Sequence, residues 1–176
     1  MDILFEACAG LDVHKESVSA CVRRIDVGGQ VVSEVREFNT MTEGILRMGD
    51  WMEAQGVRHA AMESTGVYWK PIWNLLEERF KLILCNALDV KNVPGRKTAT
   101  RDCQWLAQLL QHGLLRASFV PPKPHRELRD LTRHRAQLTG EHTRAVNRIA
   151  KTLEDANIKL SSVASDIMGK SGRLMT

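Results

Sequence analysis

Two acidic residues stand where strand-like runs of the sequence end, and their placement indicates metal-dependent chemistry on phosphate. Asp12 lies near the end of the run FEACAGLDV, residues 5–13, and Glu63 ends the run VRHAAME, residues 57–63. If the two strands are parallel neighbours, both carboxylates reach the same edge of a sheet, where open α/β folds place their sites. Because carboxylates repel a polyanion unless cations lie between them, the pair predicts Mg²⁺ or Mn²⁺ bound together with phosphate oxygens.

Two such ions would catalyse phosphodiester displacement. Held roughly 3.5–4 Å apart, they activate the attacking oxygen and stabilise the leaving one. A purely structural interpretation stays open, in which Asp12 is a turn acid and Glu63 interacts with the dipole at the start of a following helix. His14 and Lys15 flank Asp12 and are candidates to orient phosphate or water, and His14 is also considered as a metal ligand.

The elements that must position these acids follow the order βββαβαβ. Short connections make the first three strands an antiparallel meander, and right-handed crossovers place the fourth strand beside the first. We therefore predict an α/β fold of the ribonuclease H-like (RuvC-like) type, with a mixed five-stranded sheet in which strands 1, 4 and 5 are parallel. The predicted strands are 5–13, 17–25, 31–38, 57–63 and 80–86. One helix is predicted from Thr42, its N-cap, through apolar residues at helical spacing up to Met52, and a second over 64–78, in which Pro71 limits the first turn or kinks the helix.

A second helical region follows the sheet. The segment RDCQWLAQLLQHG predicts a helix that ends at Gly113, and a long helix is predicted over about 125–158, after PPKP. Its apolar residues form an imperfect heptad, which favours a coiled coil with a dimer mate or another segment; docking on the domain's own sheet stays open. We expect a catalytic domain over 1–120 and a helical region over 121–176, with a further domain beyond the chain. The apolar positions are Leu128, Leu131, Leu138, Ala145, Ile149, Leu153 and Ala156.

Charge is distributed unevenly along the chain. The net charge is +4, but residues 1–95 hold 10 Lys and Arg against 14 Asp and Glu, whereas residues 96–151 hold 12 against 4. An acidic half joined to a basic stretch favours a carboxylate site beside a nucleic-acid surface, while a solvated basic helix is the alternative. The basic candidates are Lys15, Arg96, Lys97, Arg101, Arg126, Arg129, Arg133, Arg135, Arg144, Arg148 and Lys151.

Other sequence features argue against secretion, a zinc site and a membrane location. The four cysteines form no CxxC pair, and three lie in apolar runs where a reduced thiol behaves as a small hydrophobe. No apolar run approaches the roughly 20 residues that span a bilayer, and the N-terminus lacks a signal peptide. We therefore expect a cytoplasmic protein.

Three segments carry a resemblance to a known family. They are GLDVHKESVSACV from residue 10, MESTGVYWKPIWNLLE from residue 62, and LCNALDVKNVPGRKTATRDCQWLAQLLQHGLLRASFVPP from residue 84. In this order they resemble the DEDD transposases of bacterial insertion sequences, which are RuvC-like and include bridge-RNA-guided recombinases. The resemblance continues through RELRDLTRHRAQLTGEHTRAVNRI and so covers nearly the whole chain.

The resemblance implies roles for four positions. Asp12 matches the first acid of the family and Glu63 the second. The last two acids lie three residues apart in a KTDxxD motif, and the matching string here is KTATRD over 97–102. Asp102 is then the fourth acid, and Ala99 occupies the position of the third. A methyl group cannot bind a cation, so the resemblance implies an impaired site, whether Ala99 is engineered or natural.

The resemblance also implies partners. DNA and a structured guide (bridge) RNA are expected, with Mg²⁺ or Mn²⁺ as cofactor and a homodimer or higher oligomer formed through the long helix. Tyr68 or Trp69, near Glu63, is a candidate to stack on a base, whereas Trp73 and Trp105 are expected to be buried. Two alternatives to the transposase are a RuvC-like Holliday-junction nuclease and a non-catalytic RNA-binding and dimerisation module.

Overall fold

A computed structural model describes residues 3–94, 101–164 and 166–175 of the 176-residue chain. The chain divides into two compact units, Met1–Val120 and Pro121–Thr176. No helix in the described ranges is long and apolar enough to cross a bilayer.

The first unit is built on a five-stranded mixed sheet in the order β3-β2-β1-β4-β5. The first three strands form an antiparallel meander, and the last two add to β1 in parallel, because helices carry their connections to the far end of the sheet. This is the ribonuclease H-like arrangement that the sequence predicts. The strands are β1 (Ala7–Val13), β2 (Ser17–Ile25), β3 (Val31–Asn39), β4 (His59–Glu63) and β5 (Lys81–Cys85).

One face of the sheet packs against two helices, α1 (Thr42–Ala54) and α2 (Trp69–Leu76). Alternate strand residues such as Leu11 and Met62 join Ile45 of α1 and Ile72 of α2 in the larger hydrophobic core. Thr42 is not the N-cap of α1 as predicted; Met41 occupies that position and makes no side-chain cap. Helix ends are commonly shifted by one residue relative to a sequence pattern, since the cap depends on local backbone geometry.

The segment after β4 differs from its prediction. The sequence pattern places a helix start at Ser64, but α2 begins only at Trp69. Gly66 adopts a left-handed φ of 56°, which no α-helix contains, and the Ser64 N–H donates to the Cys85 carbonyl oxygen at 2.9 Å. Pro71 lies in the first turn of α2, as expected for a residue without an N–H. Glu63 is therefore separated from the helix by a loop and is not a helix N-terminal acid.

A short helix that the sequence pattern did not predict follows β5. It is α3 (Ala87–Lys91), and the Asn86 side chain accepts the Leu88 N–H at 3.0 Å as its N-cap. The opposite face of the sheet packs against α4 (Asp102–Gln111), after which Gly113 has the left-handed φ of 69° expected of a residue following a helix.

The second unit consists mainly of one long helix, α5 (Lys123–Asp155), of 33 residues. None of its residues is buried. A 3₁₀ turn, Leu160–Ser162, and a short helix, α6 (Lys170–Met175), follow it. The sequence pattern predicted α5 two residues later at its start and did not predict α6, because a six-residue helix shows too little periodicity.

Candidate metal and nucleic-acid site

The strand register brings Asp12 and Glu63 together. β1 and β4 run parallel, and the last paired residues are Leu11 and Met62. Continuing the register by one residue sets Asp12 beside Glu63, on strands about 4.8 Å apart. The two acids thus lie at the carboxyl ends of adjacent parallel strands, where ligands bind in open α/β sheets.

Both carboxylates belong to the face of the sheet that α4 covers. Side chains alternate between the two faces along a strand, so Asp12 shares a face with Gly10, and Glu63 shares a face with Ala61. A Cβ added at Gly10 would lie 2.2 Å from the Cys103 carbonyl oxygen of α4, and Ala61 belongs to the core cluster formed with α4 residues. The first turn of α4 therefore lies over this edge of the sheet.

Asp102 is the first residue of α4 and lies at this same end of the helix. Cys103, which follows Asp102, packs on Gly10, two residues before Asp12 in β1. Burial, and secondarily the Asp12 carboxylate, raise the pKa of the Cys103 thiol. The Arg101 N–H donates to the Gln104 side-chain oxygen at 3.2 Å and fixes the start of the helix. An acid in this first turn also interacts favourably with the positive end of the helix dipole.

The turn after β1 positions a second group on Asp12. The Nε2 atom of His14 lies 3.2 Å from the Oδ2 atom of Asp12, with the His14 side chain 65% exposed and that of Asp12 29% exposed. The Lys15 carbonyl oxygen accepts the Thr40 hydroxyl at 2.8 Å, which ties this turn to the end of β3. His14 can therefore orient one carboxylate oxygen of Asp12 and leave the other for a ligand.

The structure also reveals a carboxylate that the sequence pattern did not single out. Cys85 pairs with Glu63 across β4 and β5, and Asp89 follows in α3. Burial, together with the negative charges of Glu63 and Asp89, raises the pKa of the Cys85 thiol to about 12. Asp89 thus lies at the same edge of the sheet; the only sequence signal for it was the Asn86 cap three residues earlier.

The ligand chemistry at this edge fits a hard divalent cation, since carboxylate oxygens are what Mg²⁺ and Mn²⁺ prefer. Within the described ranges, however, no three His, Cys, Asp or Glu side chains gather closely enough to hold a metal. The predicted positions Arg96, Lys97 and Ala99 lie outside the described residues.

Of the four aromatic residues considered in the sequence analysis, one is exposed and three are packed against other residues. Tyr68 is exposed, on the loop between Glu63 and α2. Trp69 is half-buried and meets Trp73 edge-on at 5.9 Å between ring centroids. Trp105 is a buried residue of α4, and its indole N–H donates to the Val90 carbonyl oxygen at 3.4 Å. Tyr68 is therefore the accessible aromatic side chain of this group.

The predicted basic positions lie in two places. Lys15 and Arg101 are exposed in the first unit, Arg101 beside Asp102, and the other described positions are exposed or half-buried on α5 in the second unit. The Arg126 Nη1 atom donates to the Pro121 carbonyl oxygen at 2.8 Å. The six other basic candidates on α5 form no ion pair with a carboxylate among the described residues; they are Arg129, Arg133, Arg135, Arg144, Arg148 and Lys151.

Two solved structures are similar to part of the chain. The chain is similar in structure to Thermus thermophilus RuvC, with 11% identity, a TM-score of 0.44, and coverage of 64% of this chain and 99% of that one. T. thermophilus RuvC in complex with a Holliday-junction substrate gives 10% identity, a TM-score of 0.43 and the same coverage. No curated protein sequence matches the chain.

The family comparison covers most of the sequence. A profile described as a transposase of the DEDD, IS110 type matches residues 9–158, a range that includes Asp12, Glu63, Ala99 and Asp102. The chain belongs to the IS110-type DEDD transposase family.

Proposed function

We propose that the edge of the sheet bearing Asp12 and Glu63 is the metal site of a transposase that cleaves and exchanges DNA strands. The observation that carries the proposal is the register of β1 and β4, which sets these two carboxylates side by side under the first turn of α4. Asp102, which matches the fourth acid of the family motif, begins that turn and joins the two carboxylates in the proposed site. Membership in the transposase family supports DNA phosphodiesters as the substrate.

Asp12, Glu63 and Asp102, together with position 99 when it is acidic, would hold Mg²⁺ or Mn²⁺, with two ions in the intact site. Such ions supply activation of the attacking oxygen and stabilisation of the leaving one. The chain's own residues would do the positioning. His14 holds one oxygen of Asp12 at 3.2 Å, and α4 fixes Asp102 over the sheet.

Ala99 should impair this particular chain. The three-residue spacing does not put positions 99 and 102 on one helical turn, because α4 begins only at Asp102, with Arg101 as its extended N-cap. We assign position 99 to the metal site from its match to the third acid of the family motif, within the range that the family profile covers. With alanine there, one ligand is absent and the affinity for metal falls. Cleavage by this chain is accordingly expected to be weak or absent.

The proposed partners are DNA and a guide RNA, with strand exchange directed by base pairing between them. Lys15 and Arg101 flank the carboxylates and would contact phosphates, and we assign the same role to Arg96 and Lys97 from the sequence. Such an enzyme of a bacterial insertion sequence would act in the cytoplasm, where the four buried free thiols would stay reduced.

A calorimetric titration with Mn²⁺ tests the metal site. The Ala99→Asp chain should bind Mn²⁺ at least about tenfold more tightly than the parent, because affinity rises with the number of carboxylate ligands. Thr100→Asp is the matched control, since it adds the same charge one residue away and should change affinity little. Equal affinities of Ala99→Asp and Thr100→Asp would contradict a specific ligand position at residue 99.

A second candidate function is a non-catalytic RNA-binding and dimerisation module. Ala99 favours it, as does α5, where no residue is buried and Leu128, Leu131 and Leu138 are more than half exposed. RNA binding that survives a chelator, combined with no Mn²⁺ binding by either the parent or the Ala99→Asp chain, would favour this candidate over the metal-dependent transposase.

A further inference from the structure

Helix α5 carries its basic and apolar residues on opposite sides. At 3.6 residues per turn, successive residues are about 100° apart. The apolar stripe then falls within an arc of about 100°, and six basic residues fall within an arc of similar width on the opposite side. We name these six the basic face of α5: Arg126, Arg129, Arg133, Arg144, Arg148 and Lys151.

The basic face is exposed or half-buried, and most of its charge is uncompensated. None of its residues is buried. Within the described part of α5, Arg129, Arg133, Arg144, Arg148 and Lys151 form no ion pair. Asp130 and Asp155 lie within the same arc and Glu141 lies just beside it, so six basic against two acidic residues leave the arc with a net charge of +4.

The six residues form two clusters rather than one stripe. Arg126, Arg129 and Arg133 make the first cluster, and Arg144, Arg148 and Lys151 make the second. Their centres lie about 18 residues apart, which at 1.5 Å per residue is about 27 Å. This distance is close to one turn of a nucleic-acid duplex, about 34 Å in DNA, once the reach of long arginine side chains is included.

The surface between the clusters holds two small residues beside Gln137, whose side-chain N–H donates to Glu141 at 3.0 Å. Ala136 and Gly140 occupy the same side of the helix as the basic face, and a Cβ added at Gly140 would meet only the Arg144 Nη1 atom, at 3.5 Å. Glycine in a helix interior costs about 1 kcal/mol relative to alanine. Nothing in the described structure around Gly140 requires the absence of a side chain, but the close approach of a duplex to the helix backbone would.

We propose that the two clusters of the basic face of α5 bind the phosphate backbone of a single nucleic-acid duplex, and that the duplex comes closest to the helix backbone at Gly140. The inference concerns α5 alone and needs neither the carboxylate site nor a metal ion. It therefore stands or falls separately from the proposed cleavage activity.

The test is fluorescence anisotropy of the full chain with a labelled duplex of about 18 base pairs, in a chelating buffer, between about 50 and 200 mM salt. DNA and RNA versions of the duplex are measured separately. With six phosphate contacts, log Kd should change with log salt with a slope of magnitude about 5, since each contact contributes about 0.9. A slope of this magnitude with either duplex supports the proposal and identifies the nucleic acid. A much smaller slope with both duplexes overturns it.

Two triple variants and a charge-matched control locate the contacts. Replacing the three basic residues of either cluster with glutamine should lower the magnitude of the slope by about 2.7. The loss of affinity should therefore be about 40-fold larger at about 50 mM salt than at about 200 mM salt. The control changes three basic residues of the same unit that lie outside the basic face, namely Arg135, Lys159 and Lys170, to glutamine. Equal effects of the control and of either cluster variant would overturn the proposal.

Two further measurements keep the proposal testable if a triple variant loses helicity. A hairpin with a stem of about 6 base pairs spans about 20 Å, too short for both clusters, so the unmodified chain should show about half the slope with it. Gly140→Leu should raise helicity yet weaken binding to the long duplex, because its side chain would hold the duplex away. Equal slopes for hairpin and long duplex, or full affinity in Gly140→Leu, would overturn the proposed binding of one duplex by both clusters.

Discussion

Replacing Gly10 with alanine should destabilise the first unit by pushing α4 away from β1. A Cβ at Gly10 would lie 2.2 Å from the Cys103 carbonyl oxygen, 2.4 Å from the Ala107 nitrogen and 2.9 Å from the Leu106 Cβ. Two of these three atoms are backbone, so no side-chain rotation relieves the clash. The helix must move as a body, and Asp102 in its first turn moves with it.

The size of the effect follows from these distances. Carbon and oxygen atoms approach no closer than about 3.3 Å, so α4 must move by roughly 1 Å. Overpacking of this kind costs about 1–3 kcal/mol, and the rigidity of the backbone atoms places Gly10→Ala at the upper end. The lower entropy of the unfolded alanine chain offsets about 0.4–1 kcal/mol. A net loss of about 2 kcal/mol should lower Tm by roughly 4–8 °C for a chain of this size.

Thermal unfolding followed by tryptophan emission is a suitable assay, because the four tryptophans all lie before residue 120 and report on the first unit. Gly140→Ala is the matched control. Its Cβ would make only an ordinary contact, and the gain in helix propensity is confined to α5, so the tryptophan transition should not move. If Gly10→Ala unfolds at the parent's temperature, α4 is not packed on Gly10 and the placement of Asp102 is wrong.

Two further predictions concern the stability of the first unit. Burial raises the pKa of three thiols from 9.0 to about 12 in the folded protein. Between these two pH values the thiols ionise in the unfolded chain but not in the folded one, so their contribution to stability is complete below pH 9 and is lost as the pH rises towards 12. The loss is at most about 1.4 kcal/mol per thiol per pH unit. Urea midpoints between about pH 8 and 10.5 should therefore fall with pH, and less steeply in Cys85→Ala; a flat profile would contradict this origin. Arg79→Gln should cost about 1 kcal/mol, because Arg79 contacts Asp50 at 2.7 Å and Glu53 at 2.6 Å, and the loss should shrink in about 1 M salt. A loss that salt leaves unchanged would show that packing dominates. The three thiols are those of Cys8, Cys21 and Cys85.

The order of the elements could be predicted from the sequence because each has a strong local pattern. The strands show runs of apolar and small residues bounded by turn residues, and α1 shows its apolar residues at helical spacing. Once these were identified, connection length and crossover handedness left few arrangements for the sheet. The adjacency of Asp12 and Glu63 followed from topology rather than from any direct signal of contact.

The start of α2 could not be predicted from periodicity, although Gly66 carried a usable signal. The apolar pattern extends back through Val67, but the Ser64 N–H continues the hydrogen bonding towards β5 and Gly66 then turns the chain with a positive φ. The stability of that loop depends on a partner distant in sequence, which a local pattern does not contain. The same reason applies to Asp89, whose position at the edge of the sheet depends on the short helix α3.

The close packing of α4 on β1 could not be predicted from the sequence pattern either. In the sequence, Gly10 is an ordinary small residue of a strand. Only the distance of 2.2 Å between a Cβ added at Gly10 and the Cys103 carbonyl oxygen shows that a side chain is excluded there. The basic residues of α5 were identified as a group, yet their division into two clusters became evident only once the helix was seen to be continuous from Lys123 to Asp155.

The most direct test of the central claim is Mn²⁺ binding measured by the loss of the free-ion EPR signal, in the Ala99→Asp chain. In that background, Glu63→Gln should weaken Mn²⁺ binding at least about tenfold, because a neutral amide is a poor substitute for a carboxylate ligand. Glu43→Gln, which removes the same charge from an exposed residue of α1, should leave binding unchanged. If Glu63→Gln and Glu43→Gln bind Mn²⁺ equally well, the carboxylates at the ends of β1 and β4 are not a metal site.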